Sequence, residues 1–364
     1  MYTFNNNRYL SAAILDELLI QNNLDDHTSI LGYSVENRPI LLSSFGFGKR
    51  KVLLWSQMHG NESTTTRALI QLFSDLTLKK SSLLNDLSIK VIYQLNPDGS
   101  DKYSRFNANG VDLNRDAIKR TQPESKLLIS LFNVFKPHFC INLHDQRSIY
   151  AAGNPTLSAL ISFLAPSFDK SKSINEIRKK AMSMIGLLYK SIKPDKTWSV
   201  GRYNDGFNIN CFGDYFMSQN TPTILIEAGH HPNDFGRNLV VDEVYKCLLN
   251  FLNLFAYEVQ IKLKTDVYFS IPENQDYLRD LEIINIKCSQ GLSNKLFIQF
   301  HEYLKQNKIY FYPKIEKESN KKLYGNRIID FSKFTSKSFD LQENNQKILE
   351  KLELFLDFGL FLNE

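Results

Sequence analysis

The chain of 364 residues has only four cysteines, and no two of them form a CxxC pair. Cys140, Cys211, Cys247 and Cys288 lie far apart, so neither a zinc-thiolate cluster nor a redox pair is expected, and all four read as free thiols. The sequence also lacks the run of about 18 apolar residues that a membrane-spanning helix requires. Its first segment, "MYTFNNNRYLSAAILDELLI", has no basic start ahead of an apolar stretch, and Asp16 and Glu17 interrupt the hydrophobic residues. No secretory signal is legible there, and the cytoplasm is the expected location. A basic stripe with interleaved aromatics is missing too. The formal net charge is only +5 and comes from scattered lysines, so a nucleic-acid partner is not expected. Internal repeats and low-complexity tracts are absent.

What is present is a globular composition, with 43% hydrophobic and 23% charged residues, enough to bury a substantial core. Segments 9–22 and 64–77 carry apolar residues at helical spacing, whereas "RPILLSSFG" and "KVLLWSQM" read as strands. A strand in "LSIKVIYQLNPDG", a helix near 122–135, a strand in "HFCINLH" and an amphipathic helix over 174–192 follow. The strand "TPTILIEAG" and a long helix over "VDEVYKCLLNFLNLFAYEVQIKL" come next. Strands alternating with helices predict an α/β fold, a mostly parallel mixed sheet with helices on both faces. After residue 264 the texture changes to short aromatic and β-branched segments such as "TDVYFSIPEN", "EIINIKC", "LFIQFHEYL" and "KIYFYPKI". This predicts a main α/β domain over 1–264 and a small β-rich or mixed module of unassigned role over 265–364, ending in a helical stretch.

Three polar residues each close an apolar strand: His59 after "VLLWSQM", His144 after "FCINL" and Glu227 after "TILI". In an open α/β sheet the carboxyl ends of the parallel strands share one edge, where ligands bind. A helix beginning near Asn61 would turn Glu62 to the same side as His59. Two imidazoles and one carboxylate then form a candidate zinc set, His59, Glu62 and His144, with a position left for water. Glu227 stands outside this set and is the candidate proton carrier. Taken singly, each residue has a structural explanation: a polar turn, a histidine bonded to Asp145 or the backbone, a capping glutamate. The stretch "NPDGSDKYSRFNANGVDLNRD" (96–116) contains ordinary turn chemistry, but Arg105, Asn114 and Arg115 also form a receptor for a carboxylate. A surface salt-bridge cluster is the alternative.

Over roughly residues 30–235, the segments "GYSVENRPI", "HGNE", "NPDG…R…NGVDLNRD", "LHD" and "TILIEAG" together resemble the zinc metallocarboxypeptidases of the M14 family. The resemblance implies one zinc ion on His59, Glu62 and His144, a zinc-activated water, and Glu227 as general base and acid. It implies that Arg105 polarises the scissile carbonyl and that Asn114 and Arg115 grip the terminal carboxylate of a peptide or peptide-like substrate. Tyr203 is the positional match for the family's mobile tyrosine. The sequence departs at Asn61, where several digestive members carry an arginine, and at Asp116, where an aromatic residue or asparagine is common. His230, three residues past Glu227, is expected to line the pocket or to be structural. The implied activity is zinc-dependent hydrolysis of a C-terminal peptide bond. Two other readings stay open: a zinc-dependent deacylase of N-acyl amino acids, similar to succinylglutamate desuccinylases and aspartoacylases, and a non-catalytic binding protein on the same scaffold.

Overall fold

The computed structural model describes residues 8–232, 234–257, 264–287, 295–316, 322–334, 344–354 and 356. In chain order the first elements are α1 (Ala12–Gln21), β1 (Thr28–Tyr33), β2 (Pro39–Phe45), β3 (Arg50–Trp55), α2 (Thr64–Leu78), α3 (Leu83–Asp86) and β4 (Leu87–Ile92). There follow α4 (Pro97–Asp101), α5 (Pro123–Phe135), β5 (Phe139–Asp145), β6 (Tyr150–Ala152), β7 (Asn154–Leu164), α6 (Glu176–Ser191) and β8 (Trp198–Arg202). Then come α7 (Phe212–Ser218), β9 (Thr223–Ala228), α8 (Asn238–Ala256), α9 (Asp266–Ser270) and β10 (Asn274–Asp276).

One large mixed sheet has the order β1-β2-β4-β3-β5-β9-β7-β6-β10, with β8 paired to β7. Parallel pairing is concentrated in the middle, β4-β3-β5-β9, and antiparallel ladders flank it. The middle strands are apolar because both their faces are covered: Val52 to Trp55 and Phe139 to Leu143 are buried throughout. Helices α1, α2, α6 and α8 share one core cluster with the sheet. On the other face α5 contributes Leu128, Ile129, Leu131 and Phe132, and α7 contributes Phe212, Tyr215 and Phe216. Local signals set the helix ends. Ser11 caps α1 by accepting from Ile14 N–H at 3.2 Å, and Asn175 caps α6 by accepting from Arg178 N–H at 2.9 Å. Pro123 opens α5, and Lys136, left-handed at φ 51°, closes it.

Two segments differ from the sequence expectation. "TDVYFSIPEN" is not a strand: α9 forms a helical turn, and β10 follows it and pairs with β6. The stretch 150–164 forms the strands β6 and β7, and residues 198–202 form β8, none of which periodicity singles out. Their residues owe their strand geometry to a place on an existing sheet, which propensity does not encode.

A second sheet contains β11 (Leu278–Ile284), β12 (Leu296–Lys305), β13 (Lys308–Glu316) and β14 (Tyr324–Asp330), in the order β13-β12-β11-β14. Helix α10 (Asn345–Glu353) packs Ile348, Leu349 and Leu352 into its core with Leu281, Ile283 and Ile298. The large sheet ends with β10 and the second begins at Leu278, so the expected boundary near 265 precedes two elements that pack on the larger part. Cys140, Cys211 and Cys247 are free. Cys288 and the expected continuation of α8 over 258–263 lie outside the described residues. No helix among the described residues is long and apolar enough to cross a membrane.

Candidate metal centre and its cleft

His59 sits four residues past the end of β3. The chain does not enter α2 at once, as a helix start near Asn61 would require; α2 begins at Thr64. Instead Glu62 N–H donates to the His59 carbonyl at 3.1 Å, and this tight turn brings the two side chains together. The turn fits against α4: a Cβ on Gly60 would stand 2.0 Å from the backbone carbon of Gly99. Only glycine allows that approach. Thus "HGNE" and "NPDG" are adjacent in space, though far apart in sequence.

His144 closes β5, and its Cα partner across the parallel ladder is Glu227 of β9. Glu62 joins the segments, with Oε1 at 2.8 Å from His59 Nδ1 and Oε2 at 2.8 Å from His144 Nδ1. The two Nδ1 atoms are 3.2 Å apart, and one donor atom from each of the three buried residues lies within 4.8 Å of the others. The backbone N–H of Asp145 donates to Glu62 Oε2 at 3.2 Å. His59 Nε2 faces Asp112 Oδ1 at 3.1 Å. With Nε2 donating to that carboxylate, the lone pair of Nδ1 is left for the cluster. Among the described residues His144 Nε2 is buried with no partner, and its polar contacts lie on the Nδ1 side.

Burial opposes charge on His59, but Glu62 and Asp112 overcome it and raise its pKa to about 9. Burial likewise disfavours the Glu62 carboxylate, yet His59 and His144 hold it well below the usual range. His144, more deeply buried, is shifted down. A carboxylate that draws a proton onto a neighbouring imidazole marks a place that favours a cation. Two imidazole nitrogens and one carboxylate suit zinc, and the donor set fits it.

Other expected site residues surround this cluster in a cleft of about 630 Å³. Arg105 holds Asp112 Oδ2 through Nε at 3.1 Å and Nη2 at 2.9 Å, and its Nη1 lies 3.2 Å from His59 Nδ1. Asn114 accepts from Phe212 N–H at 3.1 Å, which fixes its Oδ1 and so its amide orientation. Arg115 is exposed and anchored by Nη1 to the Asn114 carbonyl at 2.7 Å and to Cys211 Sγ at 3.1 Å. Glu227 also lines the cleft; burial, with the Glu62 charge adding to it, pushes its carboxyl up to about 8. Tyr203 lies against Tyr150, ring centroids 5.4 Å apart, and burial beside Glu227 raises its pKa well above the ordinary value.

The sequence departures separate cleanly. Asn61 lines the cleft. Asp116 does not: it accepts from Thr121 and Gln122 N–H, both at 3.0 Å, and so orders the entry to α5. His230 lines the cleft and packs edge-on against Phe235 at 5.2 Å. Sequence reasoning missed Asp112, although it stands two residues before Asn114 in the segment already singled out. It also missed the wall supplied by the second sheet, where Asp280, Gln299, Phe300, Glu302 and Phe311 line the same cleft. No periodicity signals a contact between chain segments some 150 residues apart.

Residues 14–147 match the Peptidase_M14 family, described as zinc carboxypeptidase. The matched span includes His59, Glu62, Arg105, Asn114, Arg115 and His144, while Tyr203 and Glu227 lie beyond it. Carboxypeptidase 2 of Trichophyton rubrum is 32% identical over 109 residues, 29% of this chain and 20% of that protein. Carboxypeptidase E of Caenorhabditis elegans is 32% identical over 164 residues, 35% of this chain and 33% of that protein. The chain therefore spans a fifth to a third of the length of these relatives. Among solved structures, a metallo-carboxypeptidase from Burkholderia cenocepacia aligns with TM-score 0.52 and 18% identity, covering 68% of this chain and 70% of that one. Carboxypeptidase A from Helicoverpa armigera aligns with TM-score 0.51 and 16% identity, over 68% and 73%. At such identities the structures speak for the fold alone. The zinc carboxypeptidase match covers residues 14–147, and the curated relatives align with about a third of this chain or less, so the similarity to zinc carboxypeptidases is carried by the part that holds His59, Glu62 and His144.

Proposed function

We propose that the protein is a zinc-dependent carboxypeptidase that hydrolyses the C-terminal amide bond of a peptide or peptide-like substrate. The observation that carries this reading is the buried His59, Glu62 and His144 cluster with Glu227 paired beside His144 in the sheet register. When bound, zinc supplies Lewis acidity, polarising a carbonyl and lowering the pKa of water toward about 7. His59, Glu62 and His144 are the residues that would hold it.

The remaining work falls to this chain's own groups. The Asn114 amide and the Arg115 guanidinium bind the substrate's terminal carboxylate and so fix which amide bond enters the cleft. Arg105, held on Asp112, donates to the oxygen on which negative charge develops; such donors are often worth about 3 kcal/mol. Glu227 takes a proton from the attacking water at its carboxylate and returns it to the leaving amine nitrogen. Its raised pKa suits the delivery step, and a bound cation beside it would favour the ionised form that accepts the first proton. Tyr203, beside Glu227 on the wall, closes over bound substrate and limits water access.

The test is zinc content together with release of single C-terminal residues from a peptide panel. Glu227→Gln should keep the fold and the zinc while kcat falls by about 10²–10⁴-fold. Normal turnover by a folded Glu227→Gln protein would remove that residue from the chemistry. The small cleft favours a second reading, deacylation of N-acyl amino acids, and including these compounds in the panel separates the two.

A further inference from the structure

The part of the cleft wall built by the second sheet has no role in the chemistry above. There Asp280 of β11 and Gln299 of β12 line the cleft, at 3% and 4% exposure. Gln299 Nε2 donates to Asp280 Oδ2 at 2.5 Å and to Ser148 Oγ at 2.8 Å, and Phe300 N–H donates to the same Asp280 Oδ2 at 2.7 Å. Two of these donors converge on Asp280 Oδ2, and the Ser148 side chain also acts on the Asp280 carboxylate. Among the described residues, Asp280 Oδ1 and Gln299 Oε1 are left buried with no hydrogen-bond partner. Arg147, which also lines the cleft, acts on Asp280 electrostatically and lowers its pKa.

Unpaired buried acceptors are costly, and native proteins keep few of them. Two in neighbouring side chains on a cleft wall, one of them on a carboxylate, call for a ligand that brings donors and positive charge. A primary ammonium has three N–H donors and no acceptor, whereas a carbonyl or carboxylate would add acceptors where none are wanted. Burial raises the Asp280 carboxyl only to about 6, so it stays mainly ionised at neutral pH. The cleft volume, about 630 Å³, lies within the roughly 300–1,000 Å³ typical of small-ligand pockets.

We propose that Asp280 and Gln299 form a receptor for the free α-ammonium group of a short peptide, so that the cleft holds both ends of its substrate. The assignment of that ammonium to a peptide rests on the carboxypeptidase reading. Asn114 and Arg115 take the carboxylate, the metal cluster faces the amide, and the second sheet binds the amine. Such a site selects substrates by length as well as by terminal residue.

The experiment uses the full, zinc-loaded chain and pairs of dipeptides that differ only in N-acetylation, over several C-terminal residues. Affinity is measured by calorimetry with Glu227→Gln protein, so that turnover does not interfere, and residue release is measured in parallel with wild type. The expected result is binding of the free-amine member at least about tenfold tighter, a difference of about 1.4 kcal/mol. That gap should shrink below about threefold in Asp280→Asn/Glu227→Gln and, should that protein fold poorly, in Gln299→Met/Glu227→Gln. Equal affinity for both members, or no binding of either, overturns the proposal. An intact affinity gap without residue release by wild type supports the ammonium receptor and counts against the carboxypeptidase reading instead.

Discussion

At the scale of single residues, the candidate metal cluster sets a proton against a cation. His59 holds its proton up to about 9 while Glu62 is already ionised and His144 is shifted towards neutrality. Binding a cation below pH 9 therefore displaces one proton, and apparent affinity falls as pH falls. Zinc affinity should rise about tenfold per pH unit between pH 6 and 8, as read by chelator competition; a flat profile would contradict the protonated His59. Asp112 accepts from His59 Nε2 and also receives Arg105, so it sets both the tautomer of one candidate ligand and the place of one guanidinium. Asp112→Asn should weaken zinc binding by about 10–100-fold while leaving the melting temperature within a few degrees of wild type. An unchanged zinc affinity in that variant would show that His59 needs no such support.

At the scale of elements, the site depends on how turns and helix ends meet the sheet edge. Asp145, next to His144, accepts from Thr64 N–H at 3.0 Å, so one strand end caps the helix that follows the ligand turn. Asp98 does a similar service for the β1–β2 turn in "GYSVENRPI": it accepts from Ser34 Oγ at 2.7 Å, Glu36 N–H at 3.0 Å and Arg38 Nη1 at 2.8 Å. Gly60 is the tightest of these joints. Its missing Cβ is replaced by the α4 backbone, which cannot rotate away as a side chain would. Gly60→Ala should displace the ligand turn, cutting zinc affinity more than tenfold and lowering stability by about 1–3 kcal/mol. Full zinc binding by a stable Gly60→Ala protein would show the turn to be independent of α4. Part of this scale is legible in sequence: "NPDG" marks the turn after the strand in "LSIKVIYQL", and the apolar spacing over 64–77 places α2, whereas the helix start expected near Asn61 falls at Thr64. Asp116 shows the limit, since a loop position that the sequence treats as a substrate question is taken up with ordering α5.

At the scale of the molecule, the two sheets form one cleft and are clasped around it. Arg8 grips Glu302 of β12 with Nη1 and Nη2, the second contact at 3.1 Å, and Tyr103 OH donates to the same carboxylate. Aromatic contacts continue the seam: Phe235, which packs on His230, meets Phe300 at 5.9 Å and Phe311 at 5.4 Å. Removing one partner of a largely buried ion pair leaves the other uncompensated, at a cost near 3–5 kcal/mol when burial is complete. Glu302 keeps 26% of its side chain exposed, so a smaller loss is expected. Glu302→Gln should lower stability by about 1–2 kcal/mol and raise KM more than it lowers kcat, because it loosens a wall rather than the chemistry. Unfolding and steady-state kinetics together check this; an unchanged KM would mean that the clasp does not shape the cleft.

The sequence by itself pointed to the alternation of strands and helices, to His59, His144 and Glu227 near strand ends and to the loop of residues 96–116, because each is written in neighbouring residues and short-range geometry. Only the tertiary structure decided that β5 and β9 are in the register that sets His144 against Glu227, and that Asp112 backs His59. It alone brought Asp280, Gln299 and Glu302 from a separate sheet to the same cleft. Those contacts join segments that share no local pattern; they follow from which faces the two sheets bury against each other, a property of the packed whole.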